Sequence, residues 1–270
     1  MGLAWGTAMN LQSDPLQNRL LAALPDTDWR RWRARLEFIE MPLGHTLAEA
    51  GAAQPYVWFP TTAVVSLLYL TESGHSAEIA VVGTEGMVGL APVMGGDSTP
   101  QRAAVLVAGQ GYRSTAEFVR DEFERSVPIR HLLLRFAQAK LVQIGQTAVC
   151  NRFHSIDQQL CRWLLLCMDR LPGDTLAMTQ ELIAHNLGVR REGVTEAAIR
   201  LQNAGLIRYA RGRISVLGRK GLERSACECY GVVKDEYDRL LHSECEAPRH
   251  LFRERAGPAT HRPAAMADAA

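Results

Sequence analysis

The chain has almost no excess of charge. Thirty Lys and Arg stand against 29 Asp and Glu, a formal net charge of +1 over 270 residues. A nucleic-acid partner must therefore be met by a local basic patch, because the chain as a whole is no polycation. No apolar run approaches the roughly 18 residues of a membrane span, so no membrane partner is expected. The opening MGLAWGTAMNLQSDP lacks a basic start followed by an apolar core, which argues against a secretory signal. Gly6 sits where a myristoylation motif carries Ser or Thr. Cysteine is sparse at six residues, none before Cys150, and reduced thiols in a cytoplasm are the expected state. There is no nucleophile elbow, no phosphate-loop lysine and no HExxH, so no enzyme is expected.

The composition itself is ordinary for a globular protein, with 47% hydrophobic and 22% charged residues. Such a length allows two domains. Residues 1–14 read as a flexible leader. Leu16, Leu20, Leu21 and Leu24 recur at helical spacing, and a second helix is expected from Asp28 to Phe38. From Glu40 to about Val107 the pattern changes to short, β-branched segments, PYVWFP, AVVSLLYL, SAEIAVV and AAVLVA, separated by polar or Gly-rich turns. That spacing predicts an antiparallel sandwich or barrel. From Leu134 through Ala137, Leu141, Ile144 and Ala148 apolar residues step by three and four, the seam of a coiled coil. The residues alone allow either a core-facing helix or a dimer helix; the wide apolar surface favours the dimer. Cys161 and Cys167 fall in an apolar stretch and are expected in the core.

Two short helices joined by a tight turn are expected next. Thr179 can cap the first, Gly188 suits a left-handed turn, and the second begins near Arg191. Val194, Ala197, Ala198 and Leu201 face inward. Arg191, Glu192, Thr195 and Glu196 share the opposite face. LIRYARGRISV then alternates around Arg211-Gly212, a hairpin that serves as a wing. Between His185 and Lys220 stand eight basic residues and only two acidic ones, a concentration that phosphate attraction explains. A guanidinium at a helix start is disfavoured by the dipole, yet it can grip a guanine edge, and a carboxylate can accept from cytosine.

The stretch TQELIAHNLGVRREGVTEAAIRLQNAGLIRYARGRISVLGRKGLE resembles the DNA-binding domain of the Crp/Fnr family of bacterial transcription regulators. The likeness extends upstream to about Leu16. It implies an α+β chain: a cyclic-nucleotide-binding-like jelly-roll sensor over 15–126, a dimerisation helix over 127–152 and a winged helix-turn-helix over 153–224; beyond it, over 225–270, a short helix and, from the Pro, Ala and Arg content, a disordered tail are expected. It also implies a homodimer on a near-palindromic duplex DNA operator, with RNA polymerase a further candidate partner. Arg191 and Glu192 match the family's base-reading pair. Glu196 departs from it, standing where many members carry a second arginine. Thr179, Arg190, Thr195, Arg200, Arg211 and Arg213 complete the expected DNA-binding set, Arg190 replacing a small polar cap.

In the sensor, GMVGLAPVMGGDSTPQRAAVLV resembles the segment that holds a cyclic nucleotide in relatives. Gly89 matches its glycine and Arg102 its phosphate arginine, but Leu90 and Ala103 replace the glutamate and the hydroxyl residue. A buried anion needs its full donor set, so cyclic AMP is not the expected effector. Arg102 could meet another anion or lie between strands at the surface. No cysteine precedes Cys150, which removes the ligands for the N-terminal iron–sulfur cluster of some relatives. His45 and His75 are expected as turn residues rather than haem ligands. Cys227-Glu228-Cys229 with Cys245 could form a thiolate site, but one Cys-x-Cys alone is weak, and no metal is expected. The cofactor is left open. A rival reading keeps the effector or protein-interaction role and treats the helix-turn-helix as degenerate, with Glu196 as its support.

Overall fold

The computed structural model describes residues 12–171 and 173–241. Two short helices open it, α1 (Arg19–Ala22) and α2 (Asp26–Arg33). The second ends before the expected Phe38, which instead enters a strand. Leu20, Leu21 and Trp32 are buried, while Leu16 lies in a 3-10 turn and is exposed.

Seven strands follow: β1 (Glu37–Met41), β2 (Thr46–Ala48), β3 (Tyr56–Pro60), β4 (Val64–Leu70), β5 (Ser76–Val82), β6 (Arg102–Val107) and β7 (Gly109–Thr115). They form one sheet ordered β1-β7-β3 and another ordered β2-β6-β4-β5, all neighbours antiparallel. Met41 and Trp58 from the first sheet meet Val65, Val82, Ala103 and Val105 from the second in one buried cluster. Alternation along each strand supplies those inward residues, which is the logic of a sandwich.

Helix α3 (Ala116–Arg125), capped by the Thr115 hydroxyl, leads into the long helix α4 (Val127–Phe153). The C-terminal part comprises α5 (Ile156–Met168), β8 (Thr175–Ala177), α6 (Gln180–Leu187), α7 (Arg191–Asn203), β9 (Ile207–Ala210), β10 (Arg213–Val216), α8 (Arg219–Ser225) and α9 (Glu228–Leu241). Its sheet is ordered β8-β10-β9. Cys161 and Cys167 are fully buried in α5. The tail expected beyond residue 241 lies outside the described residues, as does the leader up to residue 11.

Two features position the functional surfaces. First, α9 folds back along α4: Tyr237 donates to Gln143 at 2.8 Å and its ring packs on Phe136. Second, one core runs unbroken from the sandwich through Phe136 and Trp163 to Ile183, Val194 and Ile214. The helix-turn-helix is thus seated on the sensor. Across that seam Trp163 donates to Glu78 at 2.7 Å, Ser76 and His185 share a 2.6 Å hydrogen bond, and Arg170 donates to Glu85 at 2.8 Å. No helix among the described residues is long and apolar enough to cross a membrane.

Candidate nucleic-acid interface and sensor cavity

The turn between α6 and α7 is built as local chemistry dictates. The Thr179 hydroxyl accepts from the Leu182 N–H at 3.2 Å, capping α6. Gly188 closes that helix at φ 66°, a left-handed conformation that a side chain would strain. Val194, Ala197, Ala198 and Leu201 are buried. Gly193 lies where α7 sits close on α5: a Cβ there would come within 2.7 Å of the Ile156 Cδ1, the movable end of that side chain. In the wing, Arg211 and Gly212 both have positive φ, 51° and 71°. That pair defines the two-residue turn favoured between twisted antiparallel strands.

The expected DNA-facing residues divide into two groups. Arg190, Arg191 and Glu192 are exposed at the leading end of α7. Arg190 stands at the N-cap position without capping through its side chain. Arg191 has only a loose contact with Glu181, Nε to Oε2 at 3.9 Å, with both side chains mostly in solvent. Arg208, Arg211 and Arg213 project from the wing, also exposed.

The second group also makes side-chain contacts within the protein. Arg200 makes a two-pronged ion pair with Asp157 of α5 at 2.8 and 2.7 Å. That guanidinium holds the Asp157 carboxyl below the usual carboxylate range. Arg200 therefore ties α7 to α5 while its side chain stays 54% exposed. Glu196 lies 3.7 Å from Arg200, so its charge is partly met one turn away. The Thr195 hydroxyl lies 2.8 Å from the Gln180 Oε1 and 3.0 Å from the Arg191 carbonyl, its one proton shared between them, a tie between α6 and α7. Arg219, another of the eight basic residues, pairs with Asp169 and Glu223. One exposed residue escaped the sequence reading: Ile199 is 53% exposed, one turn beyond Glu196 on α7. The signal was an isoleucine off the inward face of the helix.

In the sensor, a cavity of about 380 Å³ lies between the β3–β6 segment and α4. Gly89, Leu90 and Ala103 line it, with Met87, Gln101 and, from α4, Ala137, Lys140, Leu141 and Ile144. Arg102 does not, which corrects its expected place beside that segment. Its guanidinium donates to the Thr46 hydroxyl at 2.9 Å and lies 3.4 Å from Glu49. Alternation in β6 sends Ala103 inward and its neighbour out. The Lys140 ammonium instead donates to the Val81 carbonyl at 3.0 Å and to Gln143 at 3.3 Å. Burial pulls its pKa down to about 7.

Along α4, Leu134 and Leu141 are 50% and 62% exposed, and Ala148 is exposed as well. Ile144 is half-buried. Ala137 is buried against its own chain, so this seam residue serves the cavity wall. Val149 and Phe153 extend the exposed apolar surface toward the end of α4.

Residues 158–225 match the family model of the Crp-like helix-turn-helix domain. FixK2 from Bradyrhizobium japonicum is 17% identical with a TM-score of 0.60, covering 71% of this chain and 98% of its own. A CRP-family transcriptional regulator from Thermus thermophilus is 16% identical with a TM-score of 0.58, over 70% and 96%. The c-di-GMP-responsive regulator CLP of Xanthomonas campestris is 14% identical with a TM-score of 0.57, over 72% and 100%. No curated protein sequence matches significantly. Residues 158–225 thus carry a Crp-like helix-turn-helix domain, and the order of sheet domain, long helix and helix-turn-helix is similar in fold to the solved structures of these regulators.

Proposed function

We propose that the protein is a dimeric regulator that reads a near-palindromic operator with the leading end of α7. The observation that carries this reading is the pairing of exposed Arg191 and Glu192 at that end, beside exposed Arg190 and the wing arginines. An arginine fork discriminates guanine in the major groove, and a carboxylate accepts from cytosine. Arg190, Arg208, Arg211 and Arg213 supply phosphate contacts, which position without specifying. Ile199 offers an apolar contact for a thymine methyl. Glu196 in place of a cation predicts an operator different from that read by an arginine there.

The dimer forms along Leu134, Leu141, Ile144 and Ala148, whose exposure on α4 is the support. Leu141 and Ile144 also line the sensor cavity, so a ligand there touches the dimer seam directly. The lining of Met87, Leu90, Ala103, Leu141 and Ile144 suits a small, largely apolar ligand. With Arg102 turned to Thr46 and Glu49, a cyclic phosphate would lack its guanidinium.

Footprinting of genomic DNA with the purified protein tests the reading. A two-fold symmetric site is expected. Asymmetric protection, or none at salt concentrations that permit non-specific binding, would count against it.

A further inference from the structure

Four side chains that are distant in sequence converge where α4 ends. Cys150 and His154 occupy its last turn and C-cap, and Cys227 and Cys229 flank the start of α9. The four ligand atoms all lie within 4.8 Å of one another. The Cys150 and Cys227 sulfurs are 3.5 Å apart, and the Cys229 sulfur is 3.6 Å from the His154 Nδ1. A tetrahedral zinc ion, with Zn–S near 2.3 Å and Zn–N near 2.0 Å, sets such ligand pairs about 3.5–3.8 Å apart. A four-iron cluster would hold its cysteines well beyond this span, because each binds a different iron.

The surroundings fit a closed cation site. All three thiols are buried. The outer nitrogen of His154, Nε2, lies 3.4 Å from the Glu228 carboxylate. That contact leaves Nδ1 as the free ligand atom and orients the ring, as carboxylates do for metal-bound histidines. The buried Arg162 donates to Thr147 at 3.2 Å, yet its Nε has no hydrogen-bond partner among the described residues. Its positive charge acts on both Cys150 and Cys229. Three thiolates, a neutral imidazole and a divalent ion sum to minus one, which this guanidinium balances.

We propose that Cys150, His154, Cys227 and Cys229 form a mononuclear zinc(II) site. Binding releases the three thiol protons to solvent and involves no change of oxidation state. With four protein ligands the ion has no open position, so the role is structural. The winged helix-turn-helix lies in sequence between the two ligand pairs. The ion therefore ties both of its ends to α4 and sets its angle at the His154–Ser155 junction. This inference does not depend on which DNA, if any, the protein reads.

The test uses the full chain purified under reducing conditions without chelator. Elemental analysis is expected to find one zinc per chain. Replacement by cobalt(II) is expected to give the intense visible bands of a tetrahedral ion and a thiolate charge-transfer band. Cys229→Ser is expected to weaken zinc binding more than 100-fold against a chromophoric chelator. Glu228→Gln keeps all four ligands and is expected to weaken it about 10-fold. Should Cys229→Ser fail to fold, the wild-type cobalt spectrum and the Glu228→Gln titration still decide. Folded, reduced protein that takes up neither zinc nor cobalt would overturn the proposal. So would iron with inorganic sulfide, or a Cys150–Cys227 disulfide in place of the metal.

Discussion

The leading end of α7 and the seam between sensor and helix-turn-helix both carry arginine, but treat it in opposite ways. At the seam, Arg170 and Glu85 form a pair whose side chains are 5% and 6% exposed. Arg200 is fastened to Asp157 by two hydrogen bonds. At the start of α7, Arg191 is 64% exposed with one loose neighbour. A guanidinium in a two-pronged carboxylate pair has two of its five N–H donors engaged inside the protein, which leaves fewer for a base. The eight basic residues that make the C-terminal region stand out in sequence are thus not equivalent. Arg170, outside that cluster, together with Arg200 and Arg219, sets geometry; Arg190, Arg191 and the wing arginines are left for a partner.

The strongest break in this contrast is at the seam. Arg170→Met leaves the Glu85 carboxylate buried and unpaired, and should cost about 3–5 kcal/mol of stability by urea unfolding. A cost under about 1 kcal/mol would mean that the pair is not desolvated in solution. Arg191→Ala should leave stability unchanged and cost about 1–3 kcal/mol of discrimination at one base pair of each half-site. Leu141→Asp should yield monomers by analytical ultracentrifugation, since a charge in the seam meets its own copy across the dimer. Intact dimers of normal affinity would move the interface elsewhere.

A smaller effect separates the seam from the DNA face by pH. Burial pushes the Glu78 carboxyl up to about 7, against hydrogen bonds from Ser66 and Trp163, while its ordinary value is 4.5. An acid whose folded pKa is raised favours the folded state while protonated. Its contribution is therefore full below about pH 4.5 and is lost as pH rises toward 7. The urea midpoint of the wild type, compared with Glu78→Gln between pH 5 and pH 8, should fall more steeply. Parallel profiles would show that Glu78 stays ionised at the seam. The smallest effect is expected from Arg102→Ala, which should leave the affinity of any cavity ligand within about two-fold, because the guanidinium pairs with Thr46 and Glu49 instead.

What could be read from the sequence follows the range of the interactions. The cap at Thr179, the glycine turn at Gly188 and the Arg211-Gly212 hairpin are decided within a few residues, so periodicity and turn chemistry identify them. The sandwich and the long helix are legible for the same reason. The fates of individual charged residues are not. Arg200 meets Asp157, 43 positions away, and nothing local in either segment announces the pair. Arg102 misses the cavity by one residue, the unit by which a strand turns from face to face, and irregular pairing between β2 and β6 blurs that register. The return of α9 along α4 was equally hidden, and with it the meeting of Cys150 and Cys227 across 77 positions. A lone Cys-x-Cys pair was too weak a sign of a metal, and the residues it meets lie on a helix read for dimerisation.

The most direct test of the account is binding of wild type and Arg191→Ala to the operator and to a scrambled duplex, measured across a salt series. The account predicts that Arg191→Ala narrows the preference for the operator by about 1–3 kcal/mol per half-site and keeps most of the salt dependence, because the wing arginines remain. An Arg191→Ala protein that still prefers its operator as strongly as the wild type would contradict the assignment of α7 as the reading element.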